Sequence, residues 1–159
     1  MPGVVTVIVV PEVLKEELKP IPSADTLKLV GQWLNQHRLI TTELYVAAPK
    51  YREIEIEARV IAKPTANSGQ VGEAVQKMLL SYFHPLTGGK DGTGWEFGGK
   101  VYFSEIYRRI LDTEGVLRLE ADAVTTYVDG QRQPACADVI VNPDELVFSK
   151  KHKIIVTYA

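Results

Sequence analysis

REIEIEARVIA, Arg52–Ala62, alternates without a break: Ile54, Ile56, Ala58 and Val60 fall on one face of an extended chain, Glu53, Glu55, Glu57 and Arg59 on the other. A period of two marks a strand with one buried and one wet face, because successive side chains of a strand point to opposite sides. The segment predicts a sheet covered on one side only. Its glutamates read as the solvated face, since Glu is almost never buried unpaired. Just upstream, TELYVAAP (42–49) is a second extended run. The Pro49-Lys50-Tyr51 joint has hairpin length, so the two runs are expected to pair antiparallel.

Helical periodicity brackets this pair. Leu27, Val30 and Leu34 recur at helical spacing, with Leu29 and Trp33 on a neighbouring stripe, which predicts a helix to about Arg38 capped by Ser23 or Asp25. Downstream, Val71, Ala74, Val75, Met78, Leu79 and Tyr82 form one apolar stripe behind a cap at Asn67 or Ser68. A short helix follows in which Ser104 can cap, Ile106, Ile110 and Leu111 face inward, and Gly115 terminates. VLRLEADAVTTYV (116–128) alternates again, setting Leu117, Leu119, Ala121 and Ala123 against Arg118, Glu120 and Asp122, and Asp129-Gly130 turns it.

At the start, VVTVIVV (4–10) reads as a strand buried on both faces. It is too short for a membrane span and runs into Pro11 and the charged EVLKEELK, where Pro20 and Pro22 forbid a continuous helix. ADVIV, LVF and KIIVTYA near the end are short strands. The sum is an α+β fold: a two-layer sandwich of a mostly antiparallel sheet with helices on one side, a ferredoxin-like (split βαβ) portion and a C-terminal β-hairpin. A single domain over 1–159 is expected, with a weak seam near 129–135.

Composition narrows the function classes. The 159 residues are 45% hydrophobic and 24% charged with a formal net charge of -2, so there is no basic field to attract nucleic acid. The single cysteine, Cys136, excludes an intramolecular disulfide and reads as a small buried apolar residue.

Chemistry would have to sit in HPLTGGKDGTGWEFGGK, 84–100, which holds Gly88, Gly89, Gly92, Gly94, Gly98 and Gly99 beside Trp95. A phosphate cradle needs a glycine-rich turn from a strand into a helix N-terminus, with Lys before Ser or Thr; this loop follows a helix and offers Lys90-Asp91. His37, His84 and His152 have no ligand partner at short spacing, and each reads as a surface or cap histidine, His84 closing the helix before it. Ser104, Asp91, Asp112 and Glu96 show no nucleophile elbow and no paired base. No catalytic, cofactor or metal residue is assigned. The glycines instead permit a sharply turned, ordered loop, and Trp95 and Phe97 around Glu96 can send two rings to one side as anchors.

The loop and its flanks resemble a known pattern. An aromatic-Pro-Leu before Gly-Gly, Asp-Gly-x-Gly-Trp, Phe-Gly, an aromatic-x-Ser-Glu and a closing Gly-Val are met here by Phe83, Pro85, Leu86, Gly88, Gly89, Asp91, Gly92, Gly94, Trp95, Phe97, Gly98, Tyr102, Ser104, Glu105, Gly115 and Val116. In this the chain resembles the C-terminal region of the baseplate J-like family, from contractile phage tails and related tail-like injection machines. GVVTVIVV, VGQWLNQHRLITTELYVAAPKYREIEIEARV and PDELVFSKKHKIIV resemble the flanking blocks. Glu96 replaces a common proline, Gly99-Lys100 stand where arginine often follows, and Lys150 replaces a frequent glycine.

The resemblance implies a structural, non-enzymatic baseplate component, acting through protein–protein contacts in wedge assembly as part of a longer polypeptide. It implies other baseplate proteins as partners, with no cofactor, nucleic acid, membrane or small-molecule substrate. Its expected location is a virion or tail-like particle assembled in the bacterial cytoplasm. The interface anchors expected are Trp95, Phe97, Tyr102 and Tyr107, each against the alternative of packing within the domain; in isolation the chain is expected to be a monomer or weakly associated. The competing readings are a small-molecule-binding regulatory domain of ferredoxin-like type and a hydrolase straddling the loop and Asp112.

Overall fold

The computed structural model describes residues 3–13 and 16–159; Leu14 and Lys15, inside the proline-punctuated connection, lie outside the described residues. In chain order the elements are β1 (Gly3–Ile8), α1 (Ala24–His37), β2 (Thr42–Ala47), β3 (Lys50–Ala62), α2 (Ser68–Tyr82), α3 (Phe103–Leu111), β4 (Val116–Val128), β5 (Gln131–Arg132), β6 (Glu145–Phe148) and β7 (Lys153–Tyr158). The fold is α+β. A five-stranded mixed sheet carries α2 and α3, and β1 and β2 form a separate small parallel sheet with α1 against it.

β3 is the axis of the larger sheet. One edge pairs antiparallel with β4, and the other pairs in parallel with β6 along Lys50–Glu53 and with β7 along Glu57–Ala62. Ile54, Ile56, Ala58, Val60 and Ala62 are fully buried, as the alternation requires, and pack on Val71, Val75 and Leu79 of α2 and Ile106 and Ile110 of α3. The opposite glutamates are half-buried, not freely solvated: Glu53 meets Lys150 at 3.0 Å and Glu57 meets Lys153 at 3.2 Å.

Three expectations about pairing are corrected. β2 and β3 do not form a hairpin; β2 pairs with β1 in parallel, from Gly3↔Thr42 to Ile8↔Ala47. A tight hairpin needs left-handed turn residues, and neither Ala48 nor Pro49 has positive φ; Pro49 also holds the residue before it extended. The chain therefore steps straight from one sheet into the other, and the split βαβ arrangement becomes a local βαβ unit. Likewise β6 and β7 are no hairpin, since both run parallel to β3, end to end along one edge.

β1 is largely exposed, not buried on both faces. α1 is capped at Ser23, whose side chain accepts from Thr26 N at 3.1 Å, yet none of its residues is buried. Leu27, Val30 and Leu34 are half-covered, while Leu29 and Trp33 stay 65% and 60% exposed, Trp33 stacked on His37 at 4.3 Å. Behind α1's start, Pro20 and Pro22 are buried, and the Tyr51 hydroxyl donates to Pro20 O at 2.6 Å; burial pushes that phenol up to about 12.

β4 departs from simple alternation. Residues 120–123 all stand opposite Arg59, between the pairs Val60↔Leu119 and Ala58↔Val124, and Asp122 takes φ +50°. Such a bulge resets which face a side chain points to. So Ala121 is exposed, while Val124, Thr126 and Val128 carry the core face onward; Leu117, 46% exposed, is the extra residue of a second register shift, between Ile61↔Arg118 and Ala62↔Val116. Arg59 holds the bulge through Nη2 to Asp122 O (3.2 Å) and Nε to Glu120 (3.3 Å). Asp129-Gly130, both left-handed, close the two-residue turn into β5 as expected.

Candidate interaction surface

The loop between α2 and α3 is built from its own backbone. Asn67 caps α2 by accepting from Gln70 N, and the helix ends at Tyr82 with Phe83 buried behind it. Gly88 N then donates to His84 O at 2.8 Å, Gly89 N to Tyr82 O at 2.8 Å, Gly94 N to Gly88 O at 2.9 Å and Trp95 N to Pro85 O at 2.8 Å. A Cβ on Gly94, at φ +100°, would lie 2.9 Å from the carbonyl oxygens of both Pro85 and Leu86. That close approach is what the glycine there provides.

His84 follows the end of α2 as expected, its N donating to Ser81 O at 3.3 Å, but its ring lies inside the loop and not at the surface. It is buried, and its Nδ1 accepts from Leu86 N and Thr87 N, both at 3.2 Å. His152, also expected near the surface, is buried beside Phe83 at a ring separation of 5.8 Å.

Of the four expected anchors, Trp95 turns inward. It stacks on Phe83 (6.0 Å between centroids, 7° between planes), meets Tyr82 edge-on, and donates its indole N–H to Tyr82 O at 2.8 Å. Tyr107 lies beside Phe103 against the core. Phe97 and Tyr102 are 39% and 49% exposed. Trp95, Tyr82, Lys90, Lys100, Tyr102, Ser104 and Glu105 together line a depression of ≈ 380 Å³ on this face.

Residues without a local sequence cue fix that surface. Arg109 on α3 donates to Lys90 O at 3.0 Å and lies 4.3 Å over the Tyr82 ring, tying helix to loop. Asp138 accepts from Phe103 N at 2.9 Å, closing the start of α3 from a distant segment. Ser104 is therefore not the cap: Tyr102 holds that position without a side-chain bond. The Phe103 N–H first, and Lys100 at 3.1 Å second, hold the Asp138 carboxyl below the ordinary carboxylate range. Lys100 also lies 5.1 Å over Tyr102. The result is a mixed cationic and aromatic patch on rigid supports.

Elsewhere, Cys136 is exposed at φ +56° and not the buried residue expected. With Phe103, Tyr107 and the β4 bulge it borders a cleft of ≈ 160 Å³. That is below the about 300–1,000 Å³ of typical small-molecule sites. Leu111 is 37% exposed, at the end of α3 where the helix leaves the core.

Substituting Trp95→Phe keeps a ring against Phe83 and removes the indole donor. The expected loss is about 1 kcal/mol in urea unfolding, since Tyr82 O retains its bond from Gly89 N.

The fold resembles that of a chain in the cryo-EM structure of the anti-feeding prophage (AFP) baseplate, 6-fold symmetrised, with TM-score 0.65 and 18% identity over 93% of this chain. This chain spans 29% of the length of that one. At such identity the likeness establishes a shared fold. No protein-family model matches the chain, and no curated protein matches it in sequence.

Proposed function

We propose that the protein is a structural, non-enzymatic component of the baseplate of a contractile phage tail or related tail-like particle, of the baseplate J-like type, acting through protein–protein contacts in wedge assembly. The observation that carries this reading is the fold likeness to an anti-feeding prophage baseplate chain across 93% of the residues. The Gly-Trp-x-Phe-Gly loop, whose residues resemble the pattern of the baseplate J-like family, also supports it.

On this reading the 159 residues are one α+β unit of a longer baseplate polypeptide, located in the assembled particle and built in the bacterial cytoplasm. Phe97 and Tyr102 are the side chains offered to neighbours. Trp95 and Tyr107 keep the supporting surface rigid, a division consistent with interface anchors needing pre-ordered surroundings. The depression that Trp95 and Tyr102 border, with Lys90 and Lys100 at its rim, suits a mixed apolar and acidic protein surface.

The test is affinity purification of the full-length polypeptide from cells assembling the particle. Recovery with other baseplate proteins is expected, and Tyr102→Ala combined with Phe97→Ala should reduce that recovery at least about tenfold without lowering Tm by more than a few degrees. Recovery as a free protein with turnover of a substrate would overturn the reading. So would a metabolite that raises Tm in a saturable way, as binding to the folded state must.

A further inference from the structure

The small N-terminal unit leaves one strand unfinished. Every pairing of β1 among the described residues goes to β2, so the outer edge of β1 presents unpaired N–H and C=O groups. Gly3-Val4-Val5-Thr6-Val7-Ile8 contains no charge and no proline, and five of its six residues are β-branched. Among the described residues, none of the devices that ordinarily blunt an edge strand is present along β1.

Coverage is missing on the faces as well. α1 packs over β2, with Gly31 closing on Val46, and leaves Val5 45% exposed at the helix side. On the opposite side Val4 and Tyr45 are 63% and 56% exposed. Parallel sheets occur almost only with both faces covered, and a two-stranded sheet is marginal alone.

We infer that β1 is completed by β1 of a second copy of this chain, forming a four-stranded β2-β1-β1-β2 sheet about a two-fold axis. The strand is self-complementary. A two-fold across identical edges makes the new pair antiparallel, and centring it on Thr6 sets Val4 opposite Ile8 of the other copy, Val5 opposite Val7, and Thr6 opposite Thr6. All of these are favourable β-branched cross-strand pairs, and no like charges meet.

Two six-residue strands joined edge to edge bury less than the about 800 Å² per partner of a standard interface, so the dimer is weak, with Kd on the order of 100 µM. This inference does not depend on the baseplate reading.

Sedimentation of the Cys136→Ser chain from about 5 to about 500 µM should show the mean mass rising from monomer toward dimer. In that background Thr6→Cys should form a disulfide-linked dimer under mild oxidation, because directly opposed Cβ atoms about 4.5–5.5 Å apart are within small adjustment of disulfide reach. Glu43→Cys, equally exposed on β2, should cross-link at least about tenfold more slowly if β1 alone lies on the axis. Val5→Lys should abolish the mass increase while leaving the far-UV spectrum and Tm unchanged. A monomer throughout, equal cross-linking at both cysteines, or a dimer indifferent to Val5→Lys would each overturn the inference.

Discussion

Gly88→Ala is expected to destabilise the protein by about 3–4 kcal/mol, lowering Tm by about 10 °C. A Cβ at this position would stand 2.2 Å from Tyr82 O, 2.6 Å from His84 O and 2.7 Å from Ser81 O. All three are backbone oxygens at the end of α2, so no side-chain rotation relieves the overlap. The same carbonyls hold the loop: Tyr82 O accepts from Gly89 N and the Trp95 indole, and His84 O from Gly88 N. Relief must therefore break bonds that order residues 84–95. Gly92→Ala is the matched control. Its φ is +71°, but the nearest heavy atom to a Cβ is Thr87 O at 3.9 Å, so only the backbone preference is lost, about 1 kcal/mol. Thermal melts of the two variants check the difference, and equal losses would sink this account of the loop.

Between pH 6.5 and 4 the fold is expected to lose up to about 3 kcal/mol through one imidazole. His152 fills a gap in the larger sheet. β6 pairs with β3 up to Glu53 and β7 resumes at Glu57, and between them Ile56 N donates to His152 Nδ1 at 3.0 Å. Nε2 meets Ser149 Oγ at 3.1 Å, and the Gln76 amide of α2, turned to suit, donates to His152 O at 2.8 Å and accepts from its N at 3.2 Å. Burial depresses the ring from 6.5 to about 4. A depressed histidine leaves the unfolded chain holding the extra proton, so stability is full above about pH 6.5 and falls as pH drops toward 4. Protonation would also put an N–H where Ile56 needs an acceptor. In urea titrations from pH 7.5 to 4.5, His152→Gln should start less stable than the parent and converge with it as pH falls. Parallel curves would show that this ring is not the source.

The two faces of β3 were legible in the sequence because alternation reports burial directly, and the caps at Ser23 and Asn67 were legible because a cap is a local bond. Strand partners were not. Nothing in TELYVAAPKYREIEIE states that Pro49 carries the chain out of one sheet into another, because pairing is decided by distant residues such as Gly3–Ile8. The two register shifts of β4 were hidden for a related reason: Leu117, Ala121 and Ala123 alternate faultlessly as letters, and the phase is broken at Leu117 and again opposite Arg59, where Asp122 is left-handed. At the candidate surface the glycine loop was visible as an ordered element. Arg109 and Asp138 were not, since each acts through backbone groups far along the chain. His84 and His152 read as surface residues because a ring nitrogen that accepts from a backbone amide carries no sequence signature.

The passage through Ala48-Pro49 also has a mechanical side. A pull on the N-terminal unit arrives at the end of β3 along its own length, and β3 is gripped on both flanks, by β4 on one and by β6 and β7 on the other. Cross-strand bonds lie across that direction, so they bear tension together as a clamp in shear and do not peel one at a time. The β1-α1-β2 unit, with no buried helix residue, is the compliant part that would extend first, leaving the larger sheet intact under load.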